Sequence, residues 1–269
     1  MKPETDFAGR QVAGSRESQD DYYGFCPLTA DTDGFDGLLL VVADGMGGYA
    51  GGSLASRVVV EAFVENFCFC RGGIPERLLS SLRASERRLL EEIERQDKSL
   101  SQMGSTLVGA VWTPGALQWV SVGDTGLYLY RERTVKRLNA DHSMAPILEA
   151  QAARGEITAE EAAHHPDRNA LRSAIAAEPL EIYELREVPF ELSTGDIILA
   201  ATDGLASLTP EVLTAKLELN ADESADRIAA ALLIAVNEAR REKQDNATVA
   251  VIRNPFTQQN DNKRKKCLI

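Results

Sequence analysis

Three apolar runs in this chain end on an aspartate beside a glycine. Val41-Val42-Ala43 runs into Asp44-Gly45, Val120-Ser121-Val122 into Gly123-Asp124, and Ala200-Ala201-Thr202 into Asp203-Gly204. A fourth aspartate, in Gln244-Asp245-Asn246, immediately precedes the apolar run 247–252. Short apolar runs bounded by Gly, Asp or Asn have the form of strands. Residues 38–43, 118–122, 127–131, 197–202 and 247–252 all have it. Three longer stretches have helical spacing. They are 53–67 with Leu54, Val58 and Ala62, 76–96 with Leu79, Leu82, Leu89 and Ile93, and the Ala-rich 224–243. Strands outnumber helices without a βαβ rhythm, so the expected class is α+β with antiparallel sheets, not a doubly wound parallel sheet.

Between residues 143 and 179 apolar residues thin out, and Thr158-Ala-Glu-Glu161 starts a short helix with a capping box. A small helical insertion on a β scaffold is expected there. No linker or repeat divides the chain. One domain is expected over residues 1–255, with a disordered basic tail at 256–269.

An aspartate at a strand end is commonly a turn residue. Four of them beside the most apolar strands have a second reading, in which the strand ends converge at one rim of a sandwich. Carboxylates that close cannot all stay ionised without a cation between them. Oxygen ligands, with no Cys or His cluster nearby, indicate Mg²⁺ or Mn²⁺. The chain carries 41 acidic against 29 basic residues, a formal charge of −12. That field argues against nucleic acid or anionic lipid as a partner of the general surface.

The stretch from Gly45 to Gly52 contains Gly45, Gly47 and Ala50 at dinucleotide-fingerprint spacing. Asp44 would oppose a pyrophosphate, no ribose-binding acid follows on a next strand, and no Gly-Lys-Ser/Thr ending makes a phosphate loop. Glycines that let a carbonyl such as that of Gly45 face a metal fit better. Arg16, in Arg16-Glu-Ser-Gln-Asp20-Asp21, is either a solvated ion-pair partner or a bidentate phosphate clamp. His142 is either a proton donor or a structural hydrogen-bonding residue.

The longest apolar runs are far short of the ~20 residues of a membrane span. The N-terminus lacks a secretory core. Cys26, Cys68, Cys70 and Cys267 have no CxxC spacing, so neither a zinc site nor a disulfide framework is expected. A cytoplasmic protein is the expectation. The tail KRKKCLI places two residues, not three, after its Cys, unlike a prenylation signal.

Taken together, the segment 16–21, VVADGMGGYAGG from Val41, MGSTLVGA from Met103, VGDTGLYLYR from Val122, NADHS from Asn139, GDIILAATDGL from Gly195 and QDNATVAVI from Gln244 resemble the bacterial metal-dependent protein phosphatases (protein phosphatase 2C-like, PPM family). They occur in the family's order over residues 8–252. The resemblance implies a four-layer α-β-β-α sandwich with a helical flap at 143–179, and hydrolysis of phosphoserine and phosphothreonine in proteins. It implies two Mn²⁺ or Mg²⁺ ions bridged by Asp44, with Asp203 and Asp245 completing the first and the Gly45 carbonyl helping to hold the second. Asp124 with Asp203 would hold a third ion, and Arg16 would bind the substrate phosphate. Phosphorylated proteins are the implied partners, opposed to a Ser/Thr kinase in bacterial signalling, and a monomer is expected. A silent phosphoprotein-binding module and a small-molecule phosphatase are the alternatives. Asp20-Asp21 stands where the family has Glu-Asp, leaving open whether Asp20 or Asp21 serves the second metal. The family's Gly-Asp-Ser-Arg turn reads Gly123-Asp124-Thr125-Gly126, without the arginine. Met46 follows Asp44-Gly45, so no side-chain acid stands there.

Overall fold

The computed structural model describes residues 1–47, 51–95, 100 and 102–255. Gly48, Tyr49 and Ala50 of the glycine-rich stretch, Gln96 at the end of the second expected helix, and the tail 256–269 with Cys267 lie outside the described residues.

Two antiparallel sheets are packed face to face. One has the order β1 (Phe7–Val12), β12 (Ala247–Arg253), β11 (Ile197–Ala201), β7 (Gly126–Arg131), β8 (Thr134–Arg137). The other has the order β10 (Phe190–Glu191), β6 (Ala116–Val122), β5 (Leu107–Thr113), β3 (Gly37–Met46), β2 (Asp21–Leu28). The two-residue strands β4 (Gly104–Ser105) and β9 (Glu184–Leu185) add to β3 and β6.

The continuous apolar runs follow from burial on both faces. In β3, Leu38, Leu40 and Val42 point between the sheets, where they meet Trp112, Trp119, Ile198, Ala200 and Ile252. Leu39, Val41 and Ala43 point the other way, onto helices α2 (Gly51–Phe69) and α3 (Ile74–Arg95). Likewise Leu199, Val249 and Val251 face α6 (Pro210–Leu219) and α7 (Ala225–Glu238). The layers are therefore α-β-β-α.

The three expected helices form, with a difference in each. In α3 the buried leucines are Leu78, Leu82 and Leu89, while the expected Leu79 and Ile93 are half-buried. In α2 the buried stripe is Ala55, Val59, Phe63 and Phe67, while the expected Leu54 and Val58 are half-buried. The helix lies between the sheet and α3, so its apolar surface spans more than one stripe. Helix α7 ends at Glu238, not 243. Its exposed continuation from Arg240 to Lys243 has no apolar side chain to bury, and Arg240 turns left-handed at φ 47°. At its start Ser224 caps the helix by accepting from the Arg227 N–H. Beyond α1 (Ala30–Asp33), the 143–179 stretch contains α4 (Ala145–Ala153) and α5 (Ala159–Ala163). The Thr158–Glu161 capping box is formed in both directions.

Topology brings the aspartates together. Strands β3 and β6 both run antiparallel to β5, so they end at one edge, carrying Asp44 and Asp124 there. Strand β2 starts at that edge, with Asp21 opposite Asp44. In the facing sheet β11 and β12 are antiparallel neighbours, so Asp203 after one and Asp245 before the other meet at a single edge.

Candidate metal centre

The two edges share a cleft of about 400 Å³ whose lining includes Arg16, Asp20, Asp44, Gly45, Asp124, Asp203 and Asp245. Both sheets contribute, which is why no single stretch of sequence contains the site.

Asp44 is fixed through its backbone. Its N–H donates to Thr106 Oγ1 at 2.9 Å, its carbonyl accepts from Ser105 Oγ at 3.1 Å, and Thr106 Oγ1 is itself 2.6 Å from Thr125 Oγ1. Gly45 lies where its neighbours leave no room for a side chain. A β-carbon there would stand 1.9 Å from the Gly52 carbonyl oxygen and 2.7 Å from that of Asp20. At Gly204 a β-carbon would meet the Asn246 carbonyl oxygen at 2.0 Å. The repeated Asp-Gly pattern thus marks close backbone approach beside each carboxylate, not free turns.

Asp20 lines the cleft, and its N–H donates to Asn246 Oδ1 at 2.7 Å. Asn246 Nδ2 donates to the carbonyls of Ala13 and Ser18, tying the segment before β2 to the start of β12. Asp21 is only 2% exposed and lies beneath the cleft. One of its oxygens accepts from Thr202 Oγ1 at 2.8 Å, and the other, Oδ1, has no hydrogen-bond partner. His142 is buried, lies outside the cleft lining, and its Nδ1 has no hydrogen-bond partner. Burial lowers its pKa.

Arg16 is at the mouth of the cleft, its Nη2 2.6 Å from Asp245 Oδ2. Both readings of Arg16 meet in this contact, since the guanidinium reaches the site by pairing with a carboxylate expected to hold a metal. Arg137, which the sequence reading passed over, donates to the Asp124 carbonyl at 2.7 Å and to Asp141 Oδ2 at 2.9 Å. It supplies from β8 a guanidinium at the turn that lacks the family's arginine. Asn246 and Thr106 were likewise missed as positioning residues, although each sits inside a motif already quoted.

The carboxylates raise one another's pKa. Desolvation lifts Asp44 well above the usual carboxylate range, helped by the charges of Asp21, Asp203, Asp124 and Asp245. Asp203 is pushed to about 6 by desolvation and by Asp124 and Asp245. Asp21 is pushed to about 7, chiefly by desolvation. Asp124 is raised by burial and by Asp141.

A carboxyl raised in the folded state holds a proton that the unfolded chain has lost. Its stabilisation is complete below the unfolded pKa and is lost as pH rises through the folded one. The chelator-treated protein should therefore lose thermal stability between about pH 5 and 8. Asp21→Asn should flatten much of that slope. Calorimetry across this range checks it, and a flat wild-type profile would refute the electrostatic picture.

The donor set suits a hard divalent cation. It is all oxygen, and several of its carboxylates repel one another. Among the described residues, no three His, Cys, Asp or Glu side chains are gathered tightly enough to form a cage by themselves. Local partners account for part of this spread: Asp245 is turned onto Arg16, and Asp20 Oδ1 accepts from Ser18 Oγ at 2.9 Å.

Known proteins share both sequence and architecture with this chain. The model of the family described as protein phosphatase 2C matches residues 8–245. The serine/threonine phosphatase stp of Listeria welshimeri is 31% identical over 185 residues, covering 64% of this chain and 68% of that protein. The solved serine/threonine phosphatase PstP/Ppp of Mycobacterium tuberculosis superposes with a TM-score of 0.76 at 26% identity, over 93% of this chain and 98% of that one. A catalytic domain of PstP solved in complex with two manganese ions has the same fold, with a TM-score of 0.71 at 24% identity, over 92% of this chain and 97% of that one. No helix among the described residues is long and apolar enough to cross a membrane. The family match spans all five cleft aspartates, from Asp20 to Asp245, and on that ground the chain belongs to the protein phosphatase 2C family of metal-dependent phosphatases.

Proposed function

We propose that this cleft hydrolyses phosphoserine and phosphothreonine in proteins with the help of divalent cations. One observation carries the reading: among the described residues, five aspartates, Asp20, Asp44, Asp124, Asp203 and Asp245, line one cleft together with Arg16. Asp44, Asp203 and Asp245 would hold a first ion. Asp44, Asp20 and the Gly45 carbonyl would hold a second, and Asp124 with Asp203 a third. Mn²⁺ or Mg²⁺ bound there supplies Lewis acidity and a water acidic enough to give hydroxide near neutral pH.

The protein's own part is positioning. Thr106, Ser105 and Asn246 lock the backbones of Asp44 and Asp20, so the carboxylates need little rearrangement during reaction. Arg16 can turn its planar fork from Asp245 to a phosphate dianion, because an exposed ion pair is worth only about 0–1 kcal/mol. No Ser, Cys or His is found in the described lining, and the Thr106 hydroxyl is already engaged by Asp44 and Thr125. With the carboxylates given over to the cations, attack on phosphorus falls to water. The 143–179 stretch acts as a flap of a single domain, and its Asn169 and Leu171 reach the cleft. Phosphorylated proteins are the substrates, supplied by a Ser/Thr kinase, and the enzyme acts as a monomer in the cytoplasm.

The test is hydrolysis of phosphothreonine peptides and of a chromogenic phosphate ester, with Mn²⁺ and with chelator. Turnover of the peptide with Mn²⁺ and its loss with chelator is expected; hydrolysis that survives exhaustive chelation would overturn the reading. Asp124→Ala should slow phosphopeptide turnover by roughly tenfold or more while leaving two ions bound. Wild-type rates for that variant at every metal concentration would remove Asp124 from the site.

A further inference from the structure

The sequence spacing gave no reason to pair any cysteines, yet the fold brings two of them into contact. Cys26 Sγ and Cys68 Sγ are 3.0 Å apart across 42 residues of chain, one near the end of β2 and the other in the last turn of α2. Both are free thiols.

Their surroundings are rigid. The Phe67 carbonyl, next to Cys68, accepts from Arg77 Nε at 3.0 Å and Nη2 at 2.6 Å. Arg77 is itself 2% exposed, paired with Asp33 at 2.8 Å and stacked 4.2 Å from the Phe67 ring. The last turn of α2 is thus pinned by a buried guanidinium. Cys26 is held in β2 by its register with Leu39. The fold, not the thiols themselves, keeps the two sulfurs together. Their exposure is unequal: Cys68 is open to solvent and Cys26 is half-buried. Burial and the neighbouring Cys68 keep the Cys26 thiol protonated, pushed up to about 12.

We propose that Cys26 and Cys68 form a dithiol modification site that a hydroperoxide converts to a disulfide joining β2 to α2. The Cys68 sulfur attacks a peroxide oxygen, and the O–O bond breaks. The departing oxygen takes the Cys68 proton and, for hydrogen peroxide, leaves as water, while Cys68 becomes a sulfenic acid. The Cys26 sulfur then attacks the Cys68 sulfur. The S–S bond forms, the S–O bond breaks, and the hydroxyl leaves as a second water with the Cys26 proton. Two thiols lose two electrons and one peroxide is reduced to two waters. A disulfide needs the sulfurs at about 2.05 Å, an approach of about 1 Å from the contact already made. The bond would staple two elements whose opposite ends adjoin the cleft: β2 begins just after Asp20, and Gly52 in the first turn of α2 lies against Gly45.

The full chain, treated with stoichiometric hydrogen peroxide and then alkylated, should yield a Cys26–Cys68 cross-linked peptide, about two mass units lighter than the two thiol peptides together. Dithiothreitol should reverse it. Cys70 shares a tryptic peptide with Cys68, so the mapping is repeated in Cys70→Ser, where the cross-link should persist. The oxidised protein should melt a few degrees higher than the reduced one. Cross-links through Cys70 or Cys267, or Cys68 oxidised to a sulfinic acid while Cys26 remains alkylatable, would overturn the proposal. An unchanged melting temperature in the cross-linked protein would overturn the stapling.

Discussion

Asp44→Asn is expected to lower hydrolysis of a phosphothreonine peptide by roughly 10³-fold or more. Asp44 lies at the meeting point of the cleft, crowded by the charges of Asp21, Asp203, Asp124 and Asp245. In the proposed arrangement it is the one side chain shared by both principal ions. Asparagine keeps its volume but removes one negative charge and half of its acceptor capacity. The fold should survive. The backbone bonds to Thr106 and Ser105 do not involve the Asp44 side chain. At neutral pH, loss of one carboxylate also relieves repulsion, so the chelator-treated variant should melt no lower than wild type. Steady-state assays beside calorimetry separate the two effects. A variant that retains turnover would remove Asp44 from the chemistry, whereas a variant that fails to fold would show that its side chain is structural.

The second large effect is that of Arg16→Ala, expected to reduce kcat/KM for phosphate esters by roughly 10²-fold and to weaken inhibition by free phosphate. Arg16→Lys should recover only part of this, because an ammonium lacks the planar fork. The Asp245 contact adds something the sequence did not indicate. Arg16 and a cation are both positively charged partners for one carboxylate. Removing Arg16 should therefore tighten metal binding slightly, by less than about fivefold, since the pair is exposed at both ends. Unchanged kinetics together with tighter metal binding would leave Arg16 as a counter-ion of Asp245 and nothing more.

The aspartates at strand ends were legible because the signal is local: an apolar run, then Asp, then a residue small enough for a crossing backbone. Convergence followed from antiparallel order, which brings the end of one strand beside the start of the next. Strand β2 was harder to see. Its sequence contains Gly24 and Pro27, and most of its residues are half-buried, so no clean alternation marks it. Strand β5 is interrupted by Gly109, where a β-carbon would meet the Phe63 ring at 2.5 Å; a helix 46 positions earlier in the chain dictates that residue.

What stayed hidden was contact between distant side chains. Nothing near Arg16 indicates Asp245, nothing near Asp124 indicates Arg137, and nothing near Cys26 indicates Cys68. Asp20 and Asp21 are set apart where β2 begins. Asp20, just before the strand, lines the cleft, while Asp21, its first residue, turns inward to Thr202.

The central claim is that these carboxylates are a divalent-cation site built across two sheets. Calorimetric titration of Mn²⁺ into the chelator-treated, dialysed protein near pH 6 tests it directly. Burial and mutual repulsion raise the pKa of Asp44 and that of Asp203, the latter to about 6, so ion uptake should release protons and the measured heat should change with the buffer's ionisation enthalpy. The account predicts at least two ions per chain for wild type, with proton release, and weakened uptake for Asp44→Asn. A wild-type protein that binds no Mn²⁺ at millimolar concentration, or binds it equally well without Asp44, would contradict it.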